Sequence, residues 1–134
     1  MRSLGSRSSL RERIKILQKG LIMSTIAKKY GQVALINTFT VEPSNIDALV
    51  EELNEATEKV MSKRPGFVSA NIHRSLDGRH VANYAQWNSK ADFDAMLNDP
   101  ASREHRDRLA KIASSVSPIL YTVDAVHGGE ASGA

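Results

Sequence analysis

The sequence predicts an α+β domain of ferredoxin-like plan, β-α-β-β-α-β, with a four-stranded antiparallel sheet. Three observations carry this. Four short stretches (32–41, 67–75, 80–88 and 118–126) alternate or are rich in β-branched and aromatic residues, as half-buried strands are. An apolar stripe at helical spacing lies between the first and second, and shorter helical segments lie between the third and fourth. An Asp77-Gly78 turn joins the middle two into a hairpin.

The elements follow in order. QVALINTFTV (32–41) is the first strand, ended by Pro43. Ser44 with Asp47 reads as an N-cap for a helix over about 44–63, whose core face is Ile46, Leu49, Val50, Leu53, Ala56, Thr57 and Val60. Pro65-Gly66 breaks it. FVSANIHRS (67–75) and residues 80–88 are the hairpin strands. Ser89 with Asp92 caps a short helix carrying Phe93, Met96 and Leu97, which Asp99-Pro100 interrupts. A further helix is expected over about 101–115, with Leu109, Ile112 and Val116 as its core stripe, and then a last strand, PILYTVDAV (118–126).

The boundaries expected are an N-terminal extension at 1–30, a domain at 31–127 and a short flexible tail at 128–134. Residues 1–30 hold eight Lys/Arg against one acid, Glu12, whereas 31–134 hold ten Lys/Arg against fourteen acids, so the basic balance belongs to the extension alone. Three readings of that extension compete: an organellar transit peptide, a basic amphipathic arm with Leu10, Ile14, Leu17 and Leu21 on one stripe, or a segment upstream of a start at Met23. The domain lacks the basic, aromatic-interleaved surface of a nucleic-acid binder. Without cysteine there are no disulfides or thiolate sites, and a reducing cytoplasm is the default. No apolar run approaches the ~20 residues of a membrane helix.

Candidate chemistry comes from polar residues on the apolar, helix-facing side of the sheet. On the third strand that side is Val81, Asn83, Ala85 and Trp87; on the first it is Val33, Leu35, Asn37, Phe39 and Val41. Each stripe is apolar but for one asparagine, and Trp87 is the chain's one tryptophan. A buried amide costs about 1–3 kcal/mol without a partner; the two asparagines either bond locally, to each other, or address a ligand. His105, one turn before Leu109, sits on the core face of its helix. His73 faces away from Asn83 if the Asp77-Gly78 turn closes a two-residue loop, and towards it if the loop has three. Together these residues suggest a pocket between sheet and helices, apolar with a few convergent polar groups. Imidazole can act as base, the amides can hold an oxyanion, and the indole can stack on a flat ligand. The four histidines (73, 80, 105, 127) lack metal-ligand spacing, and no HExxH, GxGxxG or Walker loop is present, so no metal or cofactor is expected. The opposite sheet face, with Ser69, Asn71, Tyr84 and Gln86, is too apolar for water and too polar for a core, which suggests sheet-to-sheet dimerisation.

NYAQW followed by SKADFDAML, then Asp99-Pro100 and a histidine on the next helix, resembles the antibiotic biosynthesis monooxygenase family, as do PGFVSANIHRSLDG before it and PILYTVDAVH after it. The resemblance covers about 32–127. It implies a dimeric α/β-barrel, a homodimer of ferredoxin-like chains, and a cofactor-independent monooxygenase that oxidises a reduced polycyclic or phenolic, anthrone-like substrate to a quinone with O₂. Asn83 and Trp87 match the family's pocket Asn-x-x-x-Trp pair, and His73 matches a pocket histidine. With His105 they form the expected catalytic set, and Asn37, Phe39, Phe93 and Met96 the expected substrate-binding set. Phe93 stands where those enzymes carry a tyrosine, and a helix arginine corresponds to Arg106 or Arg108. Two alternatives remain open. One is a non-catalytic dimeric-barrel protein that binds a small hydrophobic ligand. The other is a haem-degrading monooxygenase, a branch in which Asn37 and His105 match but Met96 stands in the place of a tryptophan.

Overall fold

The computed structural model describes residues 24–129, and the readings of residues 1–23 and 130–134 lie outside it. The elements are β1 (Val33–Thr40), α1 (Ile46–Lys59), β2 (Phe67–Arg74), β3 (His80–Trp87), α2 (Lys90–Leu97), α3 (Pro100–Ile112) and β4 (Ser115–Tyr121). They form one antiparallel sheet in the order β2-β3-β1-β4 with the helices on one face, which is the ferredoxin-like plan. Within one chain the sheet stays open, with β2 and β4 as edges; the expected barrel is not closed by a single chain.

Local chemistry explains most boundaries. Ser89 Oγ accepts from Asp92 N at 3.1 Å, and Asp99 Oδ1 accepts from Ala101 N at 2.9 Å, with Pro100 opening α3. Before β2, Gly66 has φ +84° and its carbonyl accepts from Asn88 N at 2.8 Å. A Cβ there would meet Asp92 at 2.3 Å, so conformation and space both demand glycine. In the hairpin, Asp77 Oδ1 accepts from Ser75 Oγ at 2.6 Å and from Arg79 N at 3.0 Å, and Gly78 takes φ +71°.

Three expectations are corrected. Ser44 does not cap α1: it lies in a 3-10 turn over Pro43–Asn45, and Asp47 accepts from Arg74 Nη1 at 2.7 Å. The last helix ends at Ile112, so Val116 belongs to β4. Ser114 N donates to Thr40 O at 2.7 Å and Val116 pairs with Phe39, so strand pairing with β1 overrides the helical period. β4 stops at Tyr121, well short of residue 126, where its pairing with Ala34 nears the start of β1.

Two apolar clusters fill the space between sheet and helices. One gathers Phe39, Val41, Ile46, Leu49, Leu53, Val81 and Leu109; the other gathers Leu35, Ala85, Trp87, Phe93 and Met96. Asn37 and Asn83 fall between them on β1 and β3. On the opposite sheet face, Gln86 and Ser69 are buried beneath the segment before β1: Gln86 Nε2 donates to Thr25 O at 3.0 Å and to Ser69 Oγ at 2.8 Å.

A cavity with three unpartnered polar atoms

Strand register sets the site. Asn37 of β1 pairs directly with Asn83 of β3, and Ile72 and Pro118 flank them on β2 and β4. Paired residues in an antiparallel ladder point to the same face, so this row turns two amides towards the helices. There the seam between the two clusters widens into a cavity of about 450 Å³, within the range that holds drug-sized ligands. Its sheet wall includes Leu35, Asn37, Phe39, Asn83, Ala85 and Trp87; α1 adds Leu53, Ala56 and Thr57, α2 adds Phe93 and Met96, and α3 adds Arg106 and Leu109.

Three polar atoms on this wall are buried without a hydrogen-bond partner: Asn37 Oδ1, Asn83 Oδ1 and Trp87 Nε1. Since both amide oxygens are unpartnered, neither amide donates to the other. Buried polar groups normally find partners, so two acceptors and one donor on residues that line one cavity point to a ligand that supplies them. Trp87 is rigidly held, 1% exposed, with its ring edge-to-face against Phe67 (5.5 Å, 86°) and Phe93 (6.3 Å, 73°). Thr57 is different: its hydroxyl is spent on Leu53 O at 2.8 Å.

Among the described residues, Arg106 is the one charged side chain in the lining. Its Nη1 donates to Ser102 Oγ at 3.0 Å and its Nη2 to Leu97 O at 2.8 Å. Burial, helped by the nearby charge of Arg103, pulls its pKa down, yet a guanidinium stays protonated.

The structure brings Asn37, Phe39, Asn83, Trp87, Phe93 and Met96 together, and it leaves both histidines outside the cavity wall. His73 pairs with Ala82, in the register of a two-residue turn, and lies exposed on the opposite sheet face. His105 is buried, but its Nδ1 sits against Glu52 Oε2 of α1, with Arg108 Nη2 2.9 Å away. Burial acts to raise the Glu52 pKa, but the hydrogen bonds from His105 and Arg108 outweigh it and hold the carboxyl below its usual range. Arg108 thereby belongs to this ion-pair cluster, and Arg106 is the arginine that reaches the cavity. The family resemblance left Arg106 and Arg108 as alternatives; the residues themselves mark Arg106 by its place three before Leu109, on the same helical face. On the β4 side of the wall, Val116, Pro118 and Leu120 are additions to the expected site; Val116 was assigned to the preceding helix, because the strand begins earlier than expected.

Comparison with known proteins places the chain in a family. The sequence profile of the family described as "antibiotic biosynthesis monooxygenase" matches residues 32–108. Tetracenomycin-F1 monooxygenase of Streptomyces glaucescens is 45% identical over 101 residues, covering 75% of this chain and 89% of that protein. A monooxygenase of Streptomyces coelicolor, ActVA-Orf6, solved in complex with the ligand Nanaomycin D, is 32% identical with a TM-score of 0.65, covering 74% of this chain and 92% of that one. SnoaB of Streptomyces nogalater, a cofactor-independent oxygenase, shares the fold with a TM-score of 0.61 at 22% identity, covering 72% of this chain and 96% of that one. With a family match over more than half its length and a relative at 45% identity, the chain belongs to the antibiotic biosynthesis monooxygenase family.

Proposed function

We propose that this protein is a cofactor-independent monooxygenase that oxidises a hydroxylated, anthrone-like polycycle to a quinone with O₂, acting as a homodimer. The observation that carries this reading is the set of three unpartnered atoms, Asn37 Oδ1, Asn83 Oδ1 and Trp87 Nε1, on an otherwise apolar wall. A flat ligand bearing both hydroxyl and carbonyl groups satisfies all three: its hydroxyls donate to the amide oxygens, and its carbonyl accepts from the indole N–H. The identity to a tetracenomycin-F1 monooxygenase and to a monooxygenase that binds Nanaomycin D supports a polycyclic substrate.

The chemistry asked of the protein is modest. The anthrone CH₂ loses a proton to give a delocalised enolate, and the enolate passes electrons to O₂. A carbon–oxygen bond forms, the peroxide loses water, and a carbonyl remains. One oxygen atom of O₂ enters the quinone; the other leaves as water with the two methylene hydrogens. Among the described residues the lining has no histidine or carboxylate; the proton passes to water, and the site acts by making the enolate easier to form. The indole N–H of Trp87, a fixed donor on an apolar wall, stabilises the enolate oxygen at the ring carbonyl better than solvent does, and the aromatic wall holds the ring in place.

A haem-degrading role fits less well. It would use His105 as an iron ligand, but that ring is turned to Glu52 and does not line the cavity. The test is oxygen uptake by purified, metal-stripped protein given dithranol, against a protein-free blank. The reading expects uptake above the blank, one O₂ per quinone formed, unaffected by chelator. Uptake equal to the blank, with dithranol still bound, would favour the non-catalytic ligand-binding alternative.

A further inference from the structure

The cavity wall carries two thioethers, and they are held differently. The chain has no cysteine and four methionines, of which Met61 and Met96 line the cavity. Among the described residues, Ser102 is the one hydrogen-bond donor to a thioether, and it serves Met96 Sδ at 3.1 Å. Ser102 is fully buried on α3, so this bond engages the Met96 sulfur on the helix side. Met61 opens the 3-10 turn over Met61–Lys63 that follows α1, and its carbonyl accepts from Arg64 N at 3.1 Å. Its side chain packs, half-buried, against the cluster of Leu35, Ala85, Trp87, Phe93 and Met96. Thioether sulfur takes an oxygen atom readily from a peroxide. The reaction proposed for this cavity passes through a ring hydroperoxide, made from the enolate and O₂. A three-ring substrate leaves little of about 450 Å³ empty, so a hydroperoxide formed there meets the lining side chains.

We propose that Met61 is a modification site, which takes an oxygen atom from a substrate hydroperoxide that fails to lose water. The proposal rests on the cofactor-independent oxygenase reading of the same cavity. The O–O bond breaks, the outer oxygen bonds to sulfur, and the inner oxygen stays on the ring carbon with the proton. Sulfur gives up two electrons, and the peroxide is reduced to an alcohol. The products are Met61 sulfoxide and a hydroxyanthrone, in place of quinone and water. The sulfoxide is polar where the thioether was apolar, and it stands in the cluster that holds Trp87. Oxidation of Met61 therefore limits the number of turnovers that one molecule performs.

The experiment is turnover of the full chain with dithranol under isotopically labelled O₂, with catalase and superoxide dismutase present, followed by peptide mass spectrometry. Free N-acetylmethionine in the mixture reports on oxidant in solution. The expected result is one labelled oxygen on the Met61 peptide, rising with the quinone formed, and a loss of activity in step with it. The Met96 peptide and the free methionine should stay unlabelled. Met61→Leu, which keeps size and apolarity, is expected to start at the wild-type rate and to hold it over the turnovers that inactivate wild type. Labelled quinone beside unlabelled Met61 would overturn the proposal and leave the oxygenase reading intact. So would equal labelling of the free methionine, which marks a diffusible oxidant, or labelling of Met96 in place of Met61. A Met61→Leu variant inactivated as fast as wild type would do the same. Quinone formed no faster than in the protein-free blank would overturn the oxygenase reading and the proposal together.

Discussion

Asn37 and Asn83 face each other across β1 and β3, and the side-chain oxygens of both are buried without a partner. Each is flanked along its strand by buried apolar residues, Leu35 and Phe39 on one side of the pair, Val81 and Ala85 on the other. Such a pair is a cost to the fold, so its removal should reveal what it is for. Asn83→Leu should stabilise the protein by up to about 1 kcal/mol, since an unsatisfied acceptor is replaced by an apolar group of similar size. The same change should lower turnover by about tenfold, the order expected when the substrate hydroxyl loses the amide oxygen that accepts from it. Thermal melts and dithranol oxidation measure the two effects. A destabilised variant of undiminished turnover would show the amide to be structural.

Trp87 differs, because its ring is packed as well as poised. Trp87→Phe keeps an aromatic ring against Phe67 and Phe93 but removes the N–H and leaves a void. It should cost about 1–3 kcal/mol and weaken danthron (1,8-dihydroxyanthraquinone) binding about tenfold, as loss of one hydrogen bond to a buried carbonyl does. Isothermal titration against wild type checks this; unchanged affinity would remove the indole from the recognition set.

The Glu52–His105–Arg108 cluster should shape the acid limb of stability. The folded pKa of Glu52 is held below its ordinary value of 4.5. Its contribution is therefore complete above that value and is lost as pH falls through the lower folded one. In Glu52→Gln this part of the acid dependence should be missing, and the urea midpoint should be lower than wild type at neutral pH. Acid limbs of identical shape in the two proteins would contradict the pairing.

Two glycines with positive φ should respond unequally. Gly78→Ala meets nothing within 4 Å and bears only the backbone cost, about 1 kcal/mol. Gly66→Ala bears that cost and also drives a methyl into Asp92, whose amide and carboxylate bond to the Ser89 hydroxyl at the start of α2. It should lose about 3 kcal/mol or more. Chemical denaturation of both variants measures the difference.

The outer sheet face should mediate self-association. Ile119 and Tyr121 are 50% and 44% exposed on β4, beside half-buried Ile36 on β1. Light scattering should give a dimer for wild type and a monomer for Ile119→Asp. A wild-type monomer at micromolar concentration would contradict the homodimer.

The element order was readable because period and punctuation agreed: alternation in all four strands, Pro65-Gly66 and Asp77-Gly78 between them, and Ser89 at a helix start. The amide row was readable because an asparagine interrupts each of two apolar stripes. What the sequence leaves open is set by tertiary pairing. Whether Asn37 meets Asn83 depends on register, the end of α3 on competition from β1, and the facing of His105 on a glutamate 53 residues away. His105 looked available because its helical face was apolar; the acid that engages it comes from another element.

The most direct measurement is a crystal structure with bound danthron, the quinone that dithranol oxidation yields. The proposed site predicts the rings between sheet and helices beside Trp87, hydroxyl oxygens about 2.7–3.0 Å from Asn37 Oδ1 and Asn83 Oδ1, and a carbonyl oxygen about 2.9 Å from Trp87 Nε1. A ligand bound elsewhere, or one lying in the cavity with those three atoms still unpartnered, would contradict it.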